Sequence, residues 1–202
     1  MTLDTEHDDS PETSAAAPAA GRDRMEEQLA FKARQVLLFG EVDETMALAA
    51  CRRLLALAHA SADPITVVVS SPGGHVESGD AIHDMVRFVR APVTMLGAGW
   101  VASAAAHIFL AVPRERRLCL PNTRFMIHQP AGGAGGQASD IAIQAREIIR
   151  TRERIARTIA VQTGKPLETV MADIERDFWM DAQEAIAYGL VARIVEHQSE
   201  LG

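Results

Sequence analysis

Ser103, His128 and Asp177 are residue types that together hydrolyse acyl bonds, and each stands in local sequence that suits a role in that chemistry. A serine hydroxyl is a weak nucleophile until a base takes its proton, and a carboxylate must hold that base in one tautomer. Ser103 lies in Gly97-Ala-Gly-Trp-Val-Ala-Ser-Ala-Ala-Ala106, a strand-to-helix junction of small residues. A nucleophile at the first turn of a helix has free backbone N–H groups and the positive end of the helix dipole beside it. His128 closes the run Arg124-Phe-Met-Ile-His-Gln-Pro130, and Asp177 precedes the aromatic pair Phe178-Trp179. Upstream, Ser71-Pro-Gly-Gly74 follows a β-branched run. Glycines there place unobstructed N–H groups at the C-terminal end of a strand, where open α/β sheets bind ligands. Gly74 N–H with Ala104 N–H, the residue after the serine, would form an oxyanion hole.

Each role has rivals. His7 and His197 lie near the ends of the chain, His59 ends a helix, and His83 is assigned to an exposed helix face. His107 is one turn beyond Ser103 on the same helix, so its side chain falls below the serine and not over it. His75 follows the glycines and could touch substrate, whereas His128 ends a buried strand, where a positioned base belongs. Among the acids, Asp181 is explained by helix capping and Glu175 by pairing with Arg176, which leaves Asp173 and Asp177 nearly tied. Gly97-Ala-Gly-Trp-Val-Ala102 fits the dinucleotide fingerprint, but at least two strands precede it and Trp100 would block the pyrophosphate. No P-loop, HExxH or GxSxG motif occurs. With Lys32 and Lys165 the only lysines, a Ser–Lys dyad is disfavoured.

The elements that must position these residues alternate. Strands are predicted at 35–39, 65–69, 92–96, 118–120, 125–128 and 190–195, and helices at 44–59, 78–89 and 102–111. This βαβ pattern predicts an α/β fold with a mainly parallel sheet wrapped by helices. Gly132-Gly-Ala-Gly-Gly136 reads as a strand-like segment, followed by one helix over 138–162. Ile141, Ile148 and Ile155 recur at heptad spacing, a seam that suits subunit contact. Asp181 and Glu184 form a capping box for a helix over 182–188 that Gly189 stops.

The bulk numbers bound the rest. The 202 residues predict one folded domain. A formal charge of −7 argues against nucleic acid, and no run of 18 apolar residues indicates a membrane span. Cys51 and Cys119 lack metal-ligand spacing and read as core residues in a reducing compartment. Residues 1–24 are rich in Ala, Pro and acids, without a secretory pattern. They read as a disordered acidic tail on a cytoplasmic protein, processing of a propeptide being the alternative, with the folded domain over 25–202.

Together these residues resemble the proteolytic subunit of the Clp protease family over about residues 34–197. The motifs are Ser71-Pro-Gly-Gly74, Ala102-Ser103, Leu120-Pro-Asn-Thr-Arg-Phe-Met-Ile-His-Gln-Pro130, Gly136-Gln-Ala-Ser-Asp140, and Arg176-Asp177-Phe-Trp179 with Tyr188-Gly-Leu190. The resemblance implies a crotonase-like, ClpP-like ββα superhelix with a protruding long-helix handle, at about 131–162. It implies a catalytic triad of Ser103, His128 and Asp177, which favours Asp177 over Asp173, and oxyanion donors at Gly74 and Ala104. It further implies a serine endopeptidase acting on peptides and unfolded proteins, a homo-oligomer of two stacked seven-membered rings, a ring contact at Glu175-Arg176, and an ATPase unfoldase partner. No metal or organic cofactor is expected. Two features depart from the family: Ile65-Thr-Val-Val-Val69 lacks the aromatics that line the unfoldase docking cleft, and where the family has the aromatic and Leu residues of its pore gate this chain has Met25-Glu-Glu-Gln-Leu-Ala-Phe-Lys-Ala-Arg34 after an acidic, Ala/Pro-rich tail. The peptidase chemistry carries over, while docking of the unfoldase is left open. A non-catalytic scaffold subunit of a mixed ring is the second reading, and an acyl-CoA enzyme on the related crotonase fold the third.

Overall fold

The structure, a computed structural model, describes residues 16–133 and 135–201, with side chains from residue 24 onward. The chain divides into a unit ending at Ala33 and a second running from Arg34. In the first, α1 (Ala16–Lys32) is a helix whose Ala-rich start favours helical backbone. Residues 16–24, assigned by composition to the tail, are therefore helical, and residues 1–15 of that tail lie outside the described residues. The compact unit begins at Arg34, nine residues after the expected boundary.

The second unit is built on a seven-stranded sheet. β1 (Gln35–Phe39), β2 (Ile65–Ser71), β3 (Val93–Ala102), β4 (Arg117–Cys119) and β7 (Arg193–Ile194) run parallel in the order β1-β2-β3-β4-β7. β5 (Arg124–Ile127) pairs parallel with β3, and β6 (Phe178–Met180) pairs antiparallel with β5. Helices α2 (Glu44–Ala60), α3 (Val76–Phe88) and α4 (Ala104–Phe109) connect the early strands. Leu54 and Leu57 of α2 are fully buried, a burial worth about 2 kcal/mol for each side chain. Arg34 fastens the end of α2 by donating to the carbonyls of Leu57, Ser61, Asp63 and Pro64.

β3 is longer than the sequence suggests, and the reason bears on the site. Its Met95–Gly97 segment pairs with β4, and Trp100–Ala102 pairs with β5. Between them the chain bends at Gly99 (φ +61), while a side chain at Gly97 would stand 3.2 Å from Phe125, Thr123 and Val101. Small residues thus let one strand serve two partners and deliver Ser103 at its end, so α4 starts at Ala104 and not at Ala102.

The long helix is present as α5 (Ala138–Thr163), ended by Gly164 in the left-handed conformation. Its second half packs on the unit through buried Ala156 and Ile159, but Ile141, Ile143 and Ile149 of the first half are exposed. The described residues of the glycine segment, 131–133 and 135–137, form no strand, in contrast to the sequence expectation. Without a neighbouring strand, glycine-rich backbone has no side chains to hold it extended. In this unit α6 (Leu167–Asp173) and β6 have no forecast in the sequence. α7 (Ala182–Tyr188) begins with the expected capping box and stops at Gly189.

Candidate active site

Strand register assembles the site. β5 and β6 pair Phe125 with Met180, Met126 with Trp179 and Ile127 with Phe178. Continued by one step, the same antiparallel register sets His128 opposite Asp177. On the other side β3 and β5 pair Ala102 with Met126, and Ser103 N–H donates to the Met126 carbonyl at 2.9 Å. Gln129 locks the loop that precedes Asp177, its backbone N–H donating to Ile174 O and its side-chain amide to Glu175 O.

The side chains meet accordingly. Ser103 Oγ lies 2.7 Å from His128 Nε2, and His128 Nδ1 lies 3.0 Å from Asp177 Oδ1. A carboxylate only accepts, so Nδ1 carries the proton and neutral Nε2 is left to accept from the serine hydroxyl. Asp173, the rival acid, instead accepts from the Tyr188 hydroxyl at 2.8 Å, and Asp177 remains 63% exposed at its side chain. Glu175 pairs with Arg152 of α5 at 2.5 Å and not with its neighbour Arg176.

Ser103 has φ 55 and ψ −122, and apart from Arg34 it is the only non-glycine residue with positive φ among the described residues. Such backbone costs on the order of 1–3 kcal/mol and persists where surrounding structure over-determines it, often at functional sites. The SPGG run presses against it. A Cβ on Gly73 would stand 2.6 Å from Ser103 Cβ, 2.7 Å from Ala102 O and 2.9 Å from Ala104 N. Buried Ser71 fixes the turn by accepting from Gly73 N–H at 3.1 Å. Val42 N–H donates to Gly73 O and His75 N–H donates to Val42 O, so Gly74 is bridged to Val42 in parallel fashion. In that pattern the bridged residue's own N–H points away from its partner. Gly74 N–H therefore faces away from Val42, and Ala104 N–H is the first of α4, without an intrahelical acceptor.

Beside Ser103 lies a recess of about 30 Å³ bounded by Val76, Ala104, His107, His128, Pro130 and Ile155. His107 is 6% exposed, and its Nε2 donates to Asp80 Oδ1 at 3.0 Å. Asp80 also takes both terminal nitrogens of Arg154 from α5, at 2.8 and 2.6 Å. Burial pushes the Asp80 carboxyl up, but the bonds from His107 and Arg154 outweigh this and hold it well below the usual carboxylate range. His83, which the sequence placed on an exposed face, is 8% exposed and stacks on His107 at 4.4 Å. Burial, then the neighbouring His107, lowers its pKa. The inward turn of His83 is a packing choice: α3 fills the space over α4 with a flat ring that pairs with a second ring. His75 caps α3 and contacts Glu77 and Ser78.

Cys119 is buried and burial raises its thiol to about 11, while Cys51 is half-buried. No cluster of three His, Cys, Asp or Glu able to hold a metal occurs among the described residues, and no described helix is long and apolar enough to cross a membrane.

The family model described as Clp protease matches residues 21–198. The ATP-dependent Clp protease proteolytic subunit 3 of Rhizobium etli is 56% identical over 171 residues, covering 85% of this chain and 88% of the relative. The proteolytic subunit 2 of Gluconobacter oxydans is 57% identical over 173 residues, 85% of this chain and 78% of the relative. Among solved structures, ClpP1 from Listeria monocytogenes superposes with a TM-score of 0.79 at 45% identity, covering 87% of this chain and 99% of that one. A single-substitution variant of the same protein gives 0.82 at 47% identity.

Proposed function

Given that this chain belongs to the Clp protease family, we propose that it is a serine endopeptidase subunit whose triad is Ser103, His128 and Asp177. One observation carries the reading: the continuous hydrogen-bonded line from Ser103 Oγ through both ring nitrogens of His128 to Asp177. As Oγ bonds to the peptide carbonyl carbon, its proton passes to His128 Nε2, and Asp177 compensates the resulting imidazolium. The carbonyl oxygen becomes an oxyanion between Gly74 and Ala104 N–H groups, an interaction of the kind worth roughly 3 kcal/mol per donor in the transition state. Collapse breaks the C–N bond, His128 gives its proton to the leaving amine, and water then hydrolyses the acyl-serine by the same proton route.

Assembly follows from α5. Its outer half carries exposed Ile141, Ile143 and Ile149 on a helix longer than its own unit can cover. A second subunit covers that surface in the proposed double heptameric ring, with α5 as the handle between rings. Substrates are unfolded proteins and peptides, delivered in the cytoplasm by an ATP-dependent unfoldase of the Clp type.

A fluorophosphonate probe tests the chemistry on purified protein, with Ser103→Ala and His128→Ala alongside and every sample sized. Labelling of wild type and of neither variant, in a particle of ring size, supports the proposal. An assembled ring that stays unlabelled overturns the active-enzyme reading and leaves a scaffold subunit in its place.

A further inference from the structure

We propose that the groove between α3 and α5 is a binding site for inorganic phosphate, an inference that goes beyond the peptidase reading and does not depend on it. Its charged lining is Arg87 from α3 and Arg150, Glu153, Arg154 and Arg157 from α5, with His83 of α3 at its floor. Arg150, Arg154 and Arg157 recur at helical spacing, so like charges share one face of α5, which a helix on its own disfavours. Their present partners take few of their donors. Arg150 gives Nη1 to Glu147 and Arg157 gives Nη2 to Glu153, both exposed pairs of the kind that contribute little, and each guanidinium has further N–H groups to offer. Arg154 is held by both oxygens of Asp80, so it contributes mainly charge. Arg87 has no ion pair or hydrogen bond among the described residues. The nearest other carboxylates are already engaged, Asp80 by Arg154 and His107 and Asp84 by His83.

Arginines on a surface are ordinarily explained by solvent alone, and it is His83 that points to a ligand. It is 8% exposed, its Nδ1 lies 3.1 Å from Asp84 Oδ1, and its Nε2 is buried without a partner. A carboxylate only accepts, so the proton sits on Nδ1 and Nε2 presents a lone pair. Burial, then the neighbouring His107, lowers its pKa, so the ring is neutral at neutral pH. A buried acceptor left unpaired is costly. Hydrogenphosphate answers both demands, with charged oxygens for the arginines and an O–H that donates to His83 Nε2. Sulfate has the same shape and charge but no O–H, so it leaves Nε2 unpaired. Arg87 lies near enough for its charge to act on the His83 ring, and with no partner to hold it elsewhere its side chain is free to close over the bound anion.

The test titrates the purified assembly with sodium phosphate and, separately, with sodium sulfate at matched ionic strength and neutral pH, reading heat by calorimetry and the rise in Tm that a ligand of the folded state causes. Phosphate should bind with a Kd of about 1 mM or tighter. Sulfate should bind at least about tenfold more weakly, because it forfeits a hydrogen bond to a buried acceptor. Arg87→Gln should weaken phosphate binding by about tenfold or more, as loss of a charge-assisted bond does. Arg52→Gln, on the exposed face of α2, should leave it unchanged. His83→Phe keeps a ring against His107 and should bring the two anions to within about twofold of each other. Neither heat nor a rise in Tm with phosphate up to about 10 mM overturns the inference. So does equal affinity of wild type for phosphate and sulfate, or an Arg87→Gln protein that binds phosphate as wild type does. Binding that disappears once Ser103 carries a fluorophosphonate adduct places the anion at the Gly74 and Ala104 N–H groups instead and overturns it too. If His83→Phe does not fold, the sulfate comparison and Arg87→Gln decide.

Discussion

Gly73→Ala isolates the contact between the SPGG turn and Ser103, the proposed nucleophile. The new methyl would stand 2.6 Å from Ser103 Cβ, 2.7 Å from Ala102 O and 2.9 Å from Ala104 N, at φ +94. Ser103 and the turn must separate by about 0.8 Å to restore van der Waals contact. Left-handed backbone costs an L-residue about 1–2 kcal/mol, and overpacking adds a similar amount, so the expected loss is about 3 kcal/mol. For a unit of this size that lowers Tm by roughly 6–12 °C. A displacement near 1 Å at a reacting atom costs about a hundredfold in rate. The second-order rate of fluorophosphonate labelling and peptidase kcat/KM should therefore both fall by about that factor. Gly40→Ala separates the two causes, because Gly40 has φ +93 but nothing within 4 Å of the added Cβ. It should lose only about 1–2 kcal/mol and label at the wild-type rate. If Gly73→Ala labels within threefold of wild type, the SPGG turn does not position the nucleophile and the reasoning is wrong.

The acids can be told apart by substitution. Asp177→Asn should lower kcat by about four orders of magnitude, the scale seen when a triad carboxylate becomes an amide. Asp173→Asn should leave kcat within about twofold and lower stability by about 1–2 kcal/mol through weakening of the Tyr188 hydrogen bond, read by calorimetry. Equal loss of activity in both would remove Asp177 from the proposed triad. Arg117 is fully buried on β4, donates Nη2 to the Gln162 carbonyl of α5, and leaves Nε and Nη1 without partners. Burial, ahead of the neighbouring Arg114, pulls it down to about 10. Replacing an incompletely paired buried ion with an apolar side chain of like volume is neutral or stabilising by about 1–4 kcal/mol, so Arg117→Met should hold or raise Tm. A drop of more than about 5 °C would mean that the bond to α5 outweighs desolvation.

The order of strands and helices was legible because β-branched runs and helical spacing alternate along the chain. The small-residue junction at Ser103 was legible too, although the strand that leads to it runs on to Ala102 and does not stop at Leu96. Choosing between Asp173 and Asp177 from the residues alone was not possible. The element that brings Asp177 to His128, β6, is three residues long, too short for any period to register, and its register against β5 is a long-range property. α6 escaped for a similar reason: seven residues from Leu167 to Asp173 bury only Val170 fully. His83 was misplaced because helical spacing identifies a face, while the neighbour covering that face comes from elsewhere in the chain. The pairing of Glu175 with Arg152 across 23 residues was equally out of reach of a reading that looks to adjacent charges.

Two histidine–aspartate pairs flank Ser103, and they differ in what each leaves free for the general-base role proposed for His128. His107 offers its Nε2 to Asp80, and its Nδ1 is sealed from solvent. Charge separates the pairs as well. The Asp80 carboxylate is shared between His107 and two hydrogen bonds from Arg154. Asp177 has His128 as its only ion-pair partner within 4.0 Å among the described residues, so its charge is spent on the ring that touches the nucleophile. Exchanging these environments would move the proton acceptor away from the serine. Arg154 thus ties the second pair into the packing of α3, α4 and α5.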